Sequence, residues 1–341
     1  MFSFRANPRR MLCAESLSPT KTAILVATLD PLGLETDTIE AAGDEVLFLK
    51  SLQGLLRRNA PVGPNTAGKM AKCLTAALGN PGSLFRAELA FRSASAHALG
   101  RPRAEATACA VEYFHVASLL LDDLPMMDDS MERRGQICPH LVFGEGTAVL
   151  AALALITRAY GLLGEAIATS PVESQRAAHA FIERCLGILG IVNGQALDLE
   201  FRDEARGPMG PKHIALQKTA PLIELALALP AILTGAGARQ VRNLRRVSIC
   251  CGLLYQGIDD TCDVLLTPGR SGKSSGRDNA LGRPNVFRLL GRARTLRYLD
   301  RLIHVANVCV EDLWKQNRHF EFLRASLDAL VRRRVALPEN V

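Results

Sequence analysis

Along most of this chain apolar residues recur at the three- and four-residue intervals of a helix, as in "DEVLFLKSLQGLLRR" and "ATACAVEYFHVASLLLDD". Breakers separate such stretches: "NAPVGPNTAG", "GNPG", "LGRPRAE", "TSPVES" and "EARGPMGPKH". Nowhere do several alternating five-residue runs bounded by turn signals follow one another, so a sheet is not expected. From residue 41 on, no linker is long enough to divide the chain. The pattern predicts one all-α domain over residues 41–341, a single large helical bundle of about ten or more helices at the usual length. Residues 1–40 read as a poorly ordered leader.

Composition supports that picture. With 341 residues, 48% hydrophobic and 22% charged, the chain can bury a sizeable core. Aromatics make up only 5%, and the Ala- and Leu-rich remainder favours helix over strand. The nine cysteines are odd in number and scattered without a C-x-x-C pair, as expected of small core residues in a reducing compartment; Cys250 and Cys251 are typical. No membrane span is expected. The best candidate, "APLIELALALPAILTGAGA", is interrupted by Glu224 and Pro230 and reads as a buried helix. Arg5, Arg9 and Arg10 against Glu15 lend the N-terminus a transit-peptide look, which a disordered leader or an over-long reading frame explains equally well. A cytoplasmic protein is the default expectation.

A net charge of +7 and a pI of about 9.1 suit an anionic partner. Nucleic acid would call for a basic stripe interleaved with stacking aromatics, and none is present. The acidic clusters change the picture more. In "LLLDDLPMMDDSMERRG" an apolar run ends in Asp122, Asp123, Asp128 and Asp129, with Arg133 and Arg134 directly after. Two carboxylates about 5 Å apart repel by roughly 3 kcal/mol at an effective dielectric near 20, so the cluster needs a counter-charge. Pro125 should kink or end the helix that carries Asp122. An unbroken helix would pair Asp122 with Asp129, whereas a bend leaves Asp128 equally placed. A second cluster follows in "LLYQGIDDTCDV", where Asp259 and Asp263 share a helix face beside Asp260.

One such cluster alone is more often a solvated acidic face, and an EF-hand is a poor match, because the glycine and the twelfth-position glutamate of its loop are missing. Two clusters, each entered from an apolar helix, fit Mg²⁺, which binds one or two carboxylates and completes its shell with substrate phosphate. Arg133, Arg134, Lys218, Lys273, Arg277 and Arg283 lie close to breakers or clusters and together suit a diphosphate. Cys262, inside the second cluster, reads as a small filler.

The stretches "DDLPMMDD" with "RRG", "GQALDLE", "KTAPLI" and "YQGIDDTCD" resemble the trans-prenyl diphosphate synthases over roughly residues 45–335, most of all bacterial geranylgeranyl diphosphate synthases. The resemblance implies the isoprenoid synthase fold, helices around a central cavity, and a homodimer. It implies about three Mg²⁺ ions, held by Asp122 and Asp128 with Asp123 in support, and by Asp259 and Asp263. Arg133, Lys218, Thr219, Gln256, Lys273 and Arg283 would clasp the allylic diphosphate. Arg283 replaces a lysine usual in the family, keeping the charge but not the geometry. Arg86, His115 and Arg134 would hold isopentenyl diphosphate, with Gln195 and Asp198 lining the cavity. Catalytic work would fall to Asp122, Asp123, Asp128, Lys218 and Asp259. His115 alone would pass for a core histidine; its place seven residues before Asp122 matches the family. His140 has no such support.

One departure stands out. Where the family carries Gly-Gly-Lys-Arg ahead of the arginine matched by Arg86, this chain has "GNPGSLFR", with Ser83 and Leu84 in place of the two cations. The loss of one cationic contact to a diphosphate costs about 1.5–3 kcal/mol, roughly ten- to a hundred-fold in affinity. Two rivals therefore accompany the synthase reading: a terpene cyclase-like enzyme that ionises one prenyl diphosphate without condensation, and a non-catalytic partner subunit. Product length is expected to depend on the helix ahead of the first cluster. Ser118 and Ala117, four and five residues before Asp122, leave a shaft open one turn (about 5.4 Å) down. Phe114, a turn below, is a candidate floor, although a core aromatic explains it as well. A twenty-carbon product is expected.

Overall fold

The computed structural model describes residues 39–80, 82–201, 209–265 and 282–335; of residues 39–46, 209 and 335 it describes the backbone alone. Residues 1–38 of the leader, Lys273 and Arg277 lie outside the described residues.

The chain runs through α1 (Ile39–Asn59), α2 (Gly68–Gly79), α3 (Phe85–Ala96) and α4 (Arg101–Asp122). A short ribbon of β1 (Glu132–Arg133) and β2 (Gln136–Ile137) leads into α5 (Pro139–Phe143), α6 (Glu145–Ile167) and α7 (Val172–Leu186). Then come α8 (Ile191–Glu200), α9 (Met209–Lys218), α10 (Ala220–Leu233) and α11 (Ala238–Leu265). The chain closes with α12 (Val286–Leu290), α13 (Arg292–Gln316) and α14 (Glu321–Val335).

Sequence dictates which helix is central. The segment containing Leu222, Ile223, Leu225, Leu227 and Leu229 is apolar on every face, so α10 can satisfy the hydrophobic effect only from inside the bundle. It packs against α3, α4, α7 and α11. Its Glu224 stays buried because Arg184 and Arg245 reach it at 2.7 and 2.9 Å. The expectation of a buried helix at this segment holds. The small residues of α4 allow it to lie closely along α6.

One expectation needs correction. The described residues include an antiparallel ribbon that pairs Glu132 with Ile137 and Arg133 with Gln136. Its loop, Arg134–Gly135, has φ of 54° and 71°, the left-handed pair of a two-residue hairpin turn. Strands of two residues are too short for alternation to reveal them. By length and composition, moreover, Glu145–Ile167 and the run Val172–Glu200 are apolar enough to cross a membrane, and Gly210–Lys218 with Ala220–Leu233 would pass as a bent pair. Periodicity hid the first, because α6 is apolar both on the face it buries and on the face it exposes.

Candidate active site

The helix α4 ends at Asp122, as Pro125 requires, and the chain turns back on itself. The Asp128 N–H donates to Asp122 O at 2.8 Å and the Ser130 N–H to Asp123 O at 3.1 Å. This tight turn brings Asp128 back beside Asp122, while Asp129, at φ 48°, is left exposed. The bend therefore selects Asp128, not Asp129, as the partner of Asp122.

Asp122 and Asp128 open onto a cavity of about 1180 Å³, which Asp259 and Asp260 of α11 also line. That exceeds the roughly 300–1,000 Å³ usual for one small ligand. Gln195, Asp198, Lys218, Thr219, Gln256 and Arg283 complete this end. Lys218 Nζ donates to Asp198 Oδ2 at 2.8 Å, and Arg283 Nη2 donates to Asp128 Oδ1 at 2.6 Å and Met127 O at 3.0 Å. Arg283 Nη1 reaches Asp198 O at 3.1 Å, a bridging role that a lysine could not fill. Thr219 Oγ1 donates to Gln256 Oε1 at 3.1 Å. Burial raises the Asp122 carboxyl to about 6; Lys218 opposes the shift and Asp128 adds to it. Burial would lower Lys218, but the Asp122 and Asp198 carboxylates outweigh it and hold the ammonium above its ordinary range.

Gly194 allows these groups to converge. A Cβ there would stand 2.4 Å from the Gln217 carbonyl carbon, so α8 reaches α9 only through glycine.

A second group of side chains lines the same cavity: Arg86, Glu112, His115, Arg134 and Tyr255. Arg86 Nη1 lies 3.4 Å from His115 Nε2. Arg134 Nη1 donates to Asn80 O at 2.9 Å and lies over Gly82, where a Cβ would meet the guanidinium at 2.4 Å. Glu112 is 1% exposed; its Oε2 accepts the Ala87 N–H at 3.2 Å, and burial pushes its carboxyl up against the opposing pull of Arg86 and Arg134. Below, the shaft runs past Ser118 to Phe114, whose ring meets Tyr160 edge-on at 5.1 Å.

Three expected residues are placed away from the cavity wall. Asp123 is buried against Arg133, whose Nε reaches its two oxygens at 2.8 and 3.0 Å, so it orients that arginine. Asp263 turns toward Arg288, 4.0 Å away. Ala117 is 1% exposed in the core; at about 100° per residue it falls just outside the arc of Phe114, Ser118 and Asp122. Sequence reasoning passed over Glu112, Tyr160, Tyr255 and Arg333. The first and third carried a signal, standing one turn from His115 and Asp259, whereas the other two come from helices without a motif.

Among the described residues no group of three or more His, Cys, Asp or Glu side chains is assembled around one point. Asp122 and Asp128, with Lys218 and Arg283 close by, nonetheless fit a hard cation that takes one or two protein carboxylates and the rest of its shell from phosphate.

A polyprenyl synthetase family model matches residues 68–313. The chain is similar to geranylgeranyl pyrophosphate synthase 7, chloroplastic, of Arabidopsis thaliana, 38% identical over 203 residues, 59% of this chain and 58% of that one. A heterodimeric geranylgeranyl pyrophosphate synthase large subunit 2 of the same plant is 36% identical over 200 residues, 57% and 52% of the two chains. The chain thus spans a little over half the length of the curated relatives it matches. Its fold is that of a Helicobacter pylori geranyltransferase solved with magnesium and isoprenyl diphosphate, with a TM-score of 0.72 at 24% identity, covering 87% of this chain and 98% of that one.

Proposed function

The chain belongs to the polyprenyl synthetase family, and from that premise we propose that it is a prenyltransferase that joins isopentenyl diphosphate to an allylic diphosphate, farnesyl diphosphate by preference, to make geranylgeranyl diphosphate. The observation that carries the reading is a single cavity with both aspartate clusters and two groups of cations on its walls, above an apolar shaft. The names of the relatives support the product.

In this reading Asp122, Asp128 and Asp259 hold Mg²⁺, which supplies Lewis-acid stabilisation of the leaving diphosphate. Arg133, Lys218, Thr219, Gln256 and Arg283 orient the allylic diphosphate. Arg86, His115 and Arg134 hold isopentenyl diphosphate so that its alkene faces the allylic C1. The C1–O bond breaks, a carbon–carbon bond forms, and the proton lost from isopentenyl diphosphate passes to the released pyrophosphate. The shaft from Ser118 to Phe114 and Tyr160 shields the electron-deficient carbon from water. Lys273, expected among the diphosphate contacts, lies outside the described residues.

A second copy of this chain is the proposed partner, meeting the exposed apolar face of α6. We place the protein in the cytoplasm, with the arginine-bearing residues 1–40 as the feature that would direct it to an organelle.

Purified protein with Mg²⁺ and farnesyl diphosphate, with and without labelled isopentenyl diphosphate, tests the assignment. A labelled twenty-carbon diphosphate is expected. Hydrocarbon or alcohol formed without isopentenyl diphosphate would assign a cyclase, the reading favoured by Ser83 and Leu84, and no product at all would assign a partner subunit.

A further inference from the structure

Away from the cavity, two long helices share an outward face of one charge. The helix α13 carries Arg294, Arg297, Arg301, Val305 and Val308 at successive steps of three and four residues, so all five lie along one stripe. The three arginines are exposed, and the two valines are 40% and 58% exposed. The other side of the helix is core, with Leu299, Ala306 and Leu313 buried. Beside it runs α11, antiparallel. Its Arg239 and Asn243 reach Asp312 near one end of α13, and a Cβ at Gly257 would stand 2.7 Å from Leu299 near the other. Arg239, Arg242 and Arg246 are exposed along α11, again at steps of three and four.

The acids of α13 are already taken. Asp312 pairs with Arg239, Asp300 with Arg334, and Glu311 with Arg324 and Lys315. Among the described residues no ion pair holds Arg242, Arg294, Arg297 or Arg301. Unpaired like charges gathered on one face set up a local field that attracts an anionic surface.

The valines decide which one. Single-stranded nucleic acid needs rings free to stack between the cations, and both aromatic side chains of α13 are engaged, Tyr298 with Lys212 and Trp314 with Arg318 and Arg324. A helix that lies in a bilayer interface instead sets arginines beside exposed aliphatic side chains, which enter the boundary between headgroups and acyl chains.

We propose that the α11–α13 face docks the protein on anionic phospholipid, with the arginines against the headgroups and Val305 and Val308 dipping between them. The protein then lies on the membrane without spanning it. This docking needs no turnover and stands apart from the condensing-enzyme reading.

Flotation of the full chain with phosphatidylcholine vesicles, with and without phosphatidylserine, tests it. The parent should float with the anionic vesicles alone, and high salt should release it. Arg294→Gln, Arg297→Gln and Arg301→Gln together should weaken capture about a hundred-fold, about five-fold for each charge. The same loss of charge elsewhere, by Arg57→Gln, Lys72→Gln and Arg176→Gln on α1, α2 and α7, should leave capture within about three-fold. Val305→Ser with Val308→Ser should weaken capture but not retention on heparin, a split that a plain polyanion site would not show. Equal capture of the parent and the α13 triple variant, with the helical spectrum intact, overturns the proposal, as does an equal loss in the distant triple variant. A parent that stays unbound overturns it too; if that parent is retained on heparin, the face belongs to a nucleic acid or an acidic protein.

Discussion

A carboxyl at the mouth of an apolar cavity, with Asp128 and Asp198 as neighbours, keeps its proton longer than one in water, and Asp122 keeps it to about pH 6. Because its folded value is raised, the stabilisation it brings is complete below the ordinary carboxylate range and is lost as the pH climbs through 6. In metal-free protein Asp122→Asn should therefore melt higher than the parent at pH 8, with the difference shrinking toward zero near pH 4. Thermal melts across that range check this, and a variant that melts lower than the parent at pH 8 would contradict it. Mg²⁺ with pyrophosphate should reverse the order at pH 8, since a bound ligand stabilises only the chain that can hold it. Asp123 shows that adjacent aspartates can play different roles, since its buried carboxylate lies under Arg133 and supports that arginine rather than facing the cavity.

Between residue and molecule stands α4, whose cavity-facing arc sets the depth of the shaft. Ser118 lies on the wall and Phe114 a turn below it, against Tyr160. Phe114→Ala should lengthen the product beyond twenty carbons, and Ser118→Phe should shorten it toward fifteen; chain-length analysis by mass spectrometry reads both, and unchanged products from both variants would refute the depth argument. Ala117→Tyr, one position away along the helix and outside that arc, forces a ring into packed core, with a cost of about 1–3 kcal/mol before any effect on length. A single step around the helix divides a specificity change from a folding defect.

For the whole molecule the exposed side of α6 matters most. Leu150 and Leu153 are 57% and 55% exposed, Tyr160 48%, and Leu141 and Val142 of α5 continue the patch. An apolar area of this kind on one helix resembles a core cut in half, as permanent homodimer faces are. Leu153→Arg should turn a dimer into a monomer in light scattering at micromolar concentration, while a parent already monomeric there would refute the second copy. Tyr160 belongs to both surfaces, cavity floor and outer face, so the same variant should also alter product length if the partner braces the floor.

The sequence alone determined that the chain is helical, that its most apolar segment is interior, and that two aspartate clusters enter from apolar helices with cations close by. Periodicity and local charge are properties of neighbouring residues, and a helix keeps neighbours in register. It could not tell whether Asp128 or Asp129 returns to Asp122, because backbone hydrogen bonds around Pro125 make that choice. Nor could it show that Asp263 turns to Arg288, that a glycine lets α8 close on α9, or that Arg134 projects from a hairpin. Arg333 is the extreme case: no spacing links it to Arg86, and only the packing of α14 against α11 brings both to one tyrosine. Contacts between helices far apart in the chain depend on how surfaces fit, and that is decided only when the whole core closes.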